Sequence, residues 1–129
     1  MRVTDPVLEA CRNRVAALLT LGDGWHDGSG KAPTQVSAGA ALTLLGHFPA
    51  TASGCSIFPT EAGGLLLEFV RAGWDISIEI CPDGLAALSC VELSGPGEID
   101  SPMLDPSGVA FARFLDAAIH GQPPVPGIA

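Results

Sequence analysis

Apolar positions recur at helical spacing in three stretches of the chain and at every second position in four others. Residues 5–20 set Val7, Leu8, Cys11, Val15, Leu18 and Leu19 on one helical face. Asp5 is placed to cap this helix, and Pro6 suits its first turn, where a missing N–H costs nothing. Gly22 ends it. Thr34 opens a second helix of about 35–46, with Val36, Ala40, Ala41, Leu44 and Leu45 expected inward. Gly39 weakens that helix, and Gly46 and Pro49 stop it. Ser107 is the expected cap of a third helix of about 108–119, whose apolar positions are Val109, Phe111, Phe114, Leu115 and Ile119.

Between the second and third helices the period changes to two. Strands are predicted over 55–60, 64–70, 74–81 and 85–93, with turns at 61–64, 72–73 and 82–84. A two-residue turn at Ala72-Gly73 pairs Phe69 with Ile76, Leu67 with Ile78 and Leu65 with Ile80. Every large apolar pair then shares one face, and a slip of one residue would turn them all outward. Val70, Glu68 and Leu66 face Asp75, Ser77 and Glu79 on the other side, and Arg71 lands beside Trp74. A three-residue turn at Pro82-Asp83-Gly84 puts Ala86, Leu88 and Cys90 on the core face. A two-residue turn would set Asp75 against Glu92, which like-charge repulsion disfavours. Residues 94–106 read as a polar loop. The expected class is α+β: two N-terminal helices, a four-stranded antiparallel meander and one C-terminal helix, with the helices on one face. Residues 1–120 form one domain in this reading, and 121–129, with three prolines, a flexible tail.

Charge sharpens the picture. The 129 residues carry a net charge of −8. Residues 1–33 balance four bases with four acids, whereas residues 61–105 hold nine acids and one base, Arg71. Such a field repels phosphate, which argues against nucleic acid and anionic membrane as partners. No apolar run approaches a membrane span. The first residues lack the apolar core of a signal peptide, so a cytoplasmic location is expected. Cys11, Cys55, Cys81 and Cys90 form no CxxC pair and read as free thiols.

The 22–33 loop looks the most chemical. A phosphate-binding loop would need Gly where Trp25 stands and a hydroxyl residue where Ala32 stands. A calcium loop starting at Asp23 would need an oxygen ligand where Trp25 stands and a Glu where Thr34 stands. The loop is therefore expected to be structural. Trp25 should insert into the core between the helices, Asp23 or Asp27 should cap backbone N–H groups, and the glycines should take positive φ. The Gly24-Trp25-x-Asp27-Gly28 turn, followed by Pro59-Thr60-x-x-Gly63-Gly64 and then Leu67-Glu68-Phe69, resembles a group of small uncharacterised bacterial and phage proteins. They share a GWDG turn and a P-T-x-x-G-G-x-x-L-E-(W/F) hairpin. The resemblance spans roughly residues 8–93. It implies a fold but no activity, with His26 inserted in the turn and Phe69 where Trp is common.

His26, His47 and His120 are too scattered to predict a metal site, and no cofactor is implied. Ser29, Ser53 and Ser107 lack a nucleophile-elbow setting. The outer sheet face is the stronger candidate: Glu68, Asp75 and Glu79 share it with the aliphatics Leu66, Val70 and Val91. Apolar anchors inside a charged rim suit a protein partner with a basic surface. The first expectation is thus a small acidic, non-enzymatic interaction module, with a charge character common among antitoxins, immunity proteins and inhibitors. The alternative is a small hydrolase or lyase using Asp23, His26 and Asp27 with an outer-face carboxylate. A homodimer is the third option, opposed by stacking of carboxylates.

Overall fold

The computed structural model describes residues 5–47 and 54–119. Among these residues, three helices pack on one side of a five-stranded antiparallel sheet whose strand order follows the chain. The expected tail, 121–129, and His120 lie outside the described residues.

Helix α1 spans Pro6–Leu18. The Asp5 carboxylate accepts from Val7 N at 2.9 Å and Leu8 N at 3.4 Å, as a cap should. Cys11, Val15 and Leu18 are buried at one-turn spacing. Val7, expected inward, is 41% exposed and lines a shallow hollow with Arg14 and Cys55.

Helix α2 spans Gln35–His47 and starts at Thr34. The Thr34 hydroxyl accepts from Ser37 N at 3.0 Å and donates to Pro82 O at 2.8 Å. One side chain therefore caps the helix and ties it to the turn after the third strand. The buried face is Ser37, Ala38, Ala41, Leu44 and Leu45. Val36 was expected inward and is instead 57% exposed, lying against Gly84. Ser37 can take the inner place because its hydroxyl donates to Thr34 O at 2.9 Å, so that hydroxyl is not buried unsatisfied.

The strands are β1 (Ser56–Pro59), β2 (Leu65–Arg71), β3 (Trp74–Ile80), β4 (Ala86–Glu92) and β5 (Glu98–Asp100). The predicted register of the central hairpin is the observed one: Leu65 opposite Ile80, Leu67 opposite Ile78, Phe69 opposite Ile76 and Arg71 opposite Trp74. At the β2–β3 turn Ala72 has φ +53° and Gly73 φ +82°, the two-residue geometry that matches strand twist. The β3–β4 turn is the three-residue one, closed by Cys81 N to Leu85 O at 2.8 Å. It sets Ala86, Leu88 and Cys90 opposite Ile80, Ile78 and Ile76, all buried.

The fifth strand corrects the expectation of four. Residues 98–100 pair with β4 through Val91–Glu98, Cys90–Ile99 and Ser89–Asp100. The chain then stays alongside β4. Ser101 N bonds Leu88 O at 2.8 Å, and Leu104 and Ala86 exchange bonds at 2.7 and 2.8 Å. Three residues with one large apolar side chain carry too little periodic signal. What makes them a strand is the free edge of β4, whose N–H and C=O groups need partners.

Helix α3 spans Val109–Ile119 and buries Phe111, Leu115 and Ala118 over the β4 side of the sheet. Val109, expected inward, is 69% exposed. Ser107 is not its cap. Asp105 organises the turn, accepting from Ser107 Oγ at 2.7 Å and Ser107 N at 2.9 Å, and the helix begins two residues later. Residues of all three helices join Ile57, Leu67, Ile78 and Leu88 in one core. Among the described residues, no helix packs on the opposite face of the sheet.

Candidate functional site

The four strand pairings arrange the outer face in cross-strand rows. The first is Phe58, Leu66, Glu79 and Ala87. The middle row is Ser56, Glu68, Ser77, Ser89 and Asp100. The third is Val70, Asp75, Val91 and Glu98. All six outer-face residues singled out from the sequence (Leu66, Glu68, Val70, Asp75, Glu79 and Val91) therefore share one surface. Sequence reasoning placed Glu98 and Asp100 in a loop. The fifth strand brings both onto this face, and Phe58 joins it from β1.

Each carboxylate is interleaved with neutral neighbours. Glu68 stands opposite Ser56 and Ser77, Asp75 opposite Val70 and Val91, and Glu79 opposite Leu66 and Ala87. Asp100 stands opposite Ser89 and Glu98 opposite Val91. No two acids are direct cross-strand partners, so the charge is spread without the cost of facing like charges. None of these rows holds a basic residue, and no ion pair among the described residues neutralises them. Val70 is 56% and Val91 45% exposed. Asp75 Oδ1 is shielded from solvent and accepts no hydrogen bond from the described residues.

The centre of the face is sunken. Ser77, Ala87 and Ser89 are small, and taller side chains surround them, leaving a hollow of about 290 Å³ bordered by Leu66, Glu79, Asp100 and Ser101. Ser77 Oγ donates to Glu68 Oε2 at 3.4 Å. Ser101 Oγ is committed, accepting from Leu88 N at 2.8 Å and donating to Pro102 O at 2.9 Å.

The 22–33 loop is a second cluster. His26 and Ser29 exchange backbone bonds of 2.9 Å around a two-residue turn, with Asp27 at φ +50° and Gly28 at φ +94°. Asp23 Oδ1 accepts from Ala32 N at 2.8 Å, the capping role expected of Asp23 or Asp27. Trp25 is not in the core. It is half-buried, donates from Nε1 to Lys31 O at 2.9 Å, lies over Gly30 and stacks on the His26 ring. Its indole N–H finds a partner only at the loop's own carbonyl, which keeps the ring at the surface.

This hairpin docks on the β1–β2 turn. Lys31 N bonds Glu61 O at 2.8 Å, Thr34 N bonds Gly63 O at 3.0 Å, and His26 Nδ1 lies 2.5 Å from Glu61 Oε1. The acid that reaches His26 is thus Glu61, not the outer-face carboxylate the enzymatic alternative called for. The hydrogen bonds from His26 and Ser29, and the His26 charge, hold the Glu61 carboxyl below its ordinary range. The cluster is not a nucleophile relay. Ser29 Oγ contacts Glu61 at 3.2 Å and the His26 carbonyl at 2.9 Å, and no bond joins its hydroxyl to the imidazole. Both halves of the motif that carries the resemblance therefore meet in space, in backbone and turn contacts.

The chain shows no match to any protein-family model, curated protein or solved structure with which it was compared.

Burial is the main cause that raises the pKa of each of the four thiols. Burial, with Cys11 nearby, pushes Cys55 up to about 11. Burial, with Asp100 nearby, pushes Cys90 up to about 11 as well. Reactive thiolates need the opposite shift. Among the described residues no three His, Cys, Asp or Glu side chains come together to hold a metal ion, and no helix is long and apolar enough to cross a membrane.

Proposed function

We propose that this protein is a small acidic, non-enzymatic interaction module whose outer sheet face docks a partner protein with a basic surface. The observation that carries this reading is the composition of the face. Glu68, Asp75, Glu79, Glu98 and Asp100 stand there without a base in their rows, beside exposed Val70 and Val91, on the side of the sheet that no helix of the described residues covers. Unopposed carboxylates steer a cationic partner and reject acidic ones, and the aliphatics supply buried area once it has docked. An antitoxin, an immunity protein or an inhibitor of a nucleic-acid-binding protein would use such a face.

The test is affinity capture from the native host at low and high salt, comparing the native chain with the Glu68→Lys/Glu79→Lys variant. Support requires a basic protein that is captured at low salt, is lost on charge reversal, and cross-links to the outer-face carboxylates. Capture unaffected by charge reversal overturns the reading.

The exposed His26–Glu61 pair favours a second reading, a small hydrolase or lyase at the 23–27 loop, since an imidazole beside a carboxylate is a usable base. Its carboxylate is turned toward a surface hydroxyl and a loop imidazole, not toward a cleft that would exclude water, so the docking reading takes precedence.

A further inference from the structure

The hollow in the outer face has a shape and a donor demand that narrow what enters it. Its volume of about 290 Å³ lies at the lower limit of small-molecule sites, enough for one side chain rather than a cofactor. Its floor is flat, because Ser77 and Ser89 stand directly opposite each other on adjacent strands with Ala87 beside them. Leu66 forms an apolar wall. Glu79 on β3 and Asp100 on β5 flank it from either side of β4, one row apart.

From strand spacing, the two carboxylate-bearing strands lie about 10 Å apart, and one row is about 7 Å along the strands. A flat guanidinium, with an N–H···O bond of about 2.9 Å on each side, spans a gap of this order. A compact ammonium reaches one side of it. The acceptors around the hollow are two carboxylates and the hydroxyls of Ser77 and Ser89, and all of them suit a group with five N–H donors and no acceptor.

We infer that this hollow seats the guanidinium of one arginine side chain, stacked on Ala87 and Leu66 and bridging Glu79 and Asp100. The inference rests on the outer face being the docking surface and makes this arginine the partner's anchor.

The test is amide-resolved NMR titration of the full chain with three blocked amino acids: N-acetyl-arginine amide, its lysine counterpart, and the citrulline counterpart, which keeps the shape and lacks the charge. The expected result is a millimolar arginine response confined to residues around 77, 87–89 and 100–101, at least threefold weaker for lysine and absent for citrulline. Glu79→Gln/Asp100→Asn should weaken it about tenfold. Ala87→Leu should abolish it by filling the hollow, with the rest of the spectrum unchanged. Equal responses to arginine and lysine, a response spread over all the acids, or one that survives Ala87→Leu overturns the inference. If Ala87→Leu still captures the basic partner while Glu68→Lys/Glu79→Lys does not, the hollow is not the anchor and the docking reading stands. If neither variant alters capture, the docking reading fails first.

Discussion

Glu79 and Asp100 flank the same strand from opposite sides, with only Ala87 and Ser89 of β4 between their rows. Two acids 21 positions apart in sequence thus belong to one surface, and the fifth strand is what joins them. The surface is acidic by alternation with neutral residues, so it keeps its charge without stacking like against like.

Asp75 marks where this arrangement costs stability. Its Oδ1 is shielded and lacks a hydrogen-bond partner among the described residues, between Val70 and Val91. Asp75→Thr, which removes the charge and suits a strand, should stabilise the fold by about 1 kcal/mol in chemical denaturation. It should also weaken capture of a basic partner. An unchanged or lower midpoint would show that the carboxylate is satisfied in solution.

The β2–β3 turn holds Ala72 at φ +53°, a region that L-residues other than Asn and Asp rarely occupy. Ala72→Asn should raise stability by about 1 kcal/mol, since Asn-Gly is the preferred pair for this turn. Thermal unfolding followed by circular dichroism measures it.

Two glycines should respond in opposite directions. A Cβ on Gly64 would lie against the Ile80 carbonyl, backbone that cannot step aside. Gly64→Ala should cost about 3 kcal/mol. Gly39, inside α2, has open space around it, and Gly39→Ala should gain about 1 kcal/mol from helix propensity. A pair of denaturation curves decides both.

Thr34→Ala removes the α2 cap and the bond to Pro82 O together. The expected loss is about 1–2 kcal/mol, and Thr34→Ser should recover most of it. If serine and alanine are equally destabilising, the methyl group rather than the hydroxyl carries the effect.

Glu61 makes the fold sensitive to acid. Its carboxyl is held below the ordinary range in the folded state, so it binds protons less readily there than in the unfolded chain. Its contribution is present above the ordinary glutamate range and is lost as pH falls through the lowered folded value. The native chain should therefore exceed Glu61→Gln in Tm at neutral pH, and the two should converge in acid. A gap independent of pH would assign the difference to something other than ionisation.

Much of the scaffold was legible because its cues are local. The alternation of Leu65, Leu67 and Phe69 against Ile76, Ile78 and Ile80 admits one register, and the cost of the Asp75–Glu92 pair selects the next turn. The caps at Asp5 and Thr34 need only the residues two or three positions on. These are properties of neighbours in sequence, and side-chain period and short-range hydrogen bonding suffice to read them.

The rest depends on where distant segments arrive. Val36 and Trp25 are as apolar as core residues, yet Val36 meets the β3–β4 turn and Trp25 its own loop carbonyl. His26 meets Glu61, 35 residues away, because two turns happen to dock. Glu98 and Asp100 join the outer face because the edge of β4 needed a partner for its backbone. Hydrophobic period orients a segment toward or away from a core. Which segments lie side by side, and hence which carboxylates share a hollow, follows from backbone pairing and packing over the whole chain.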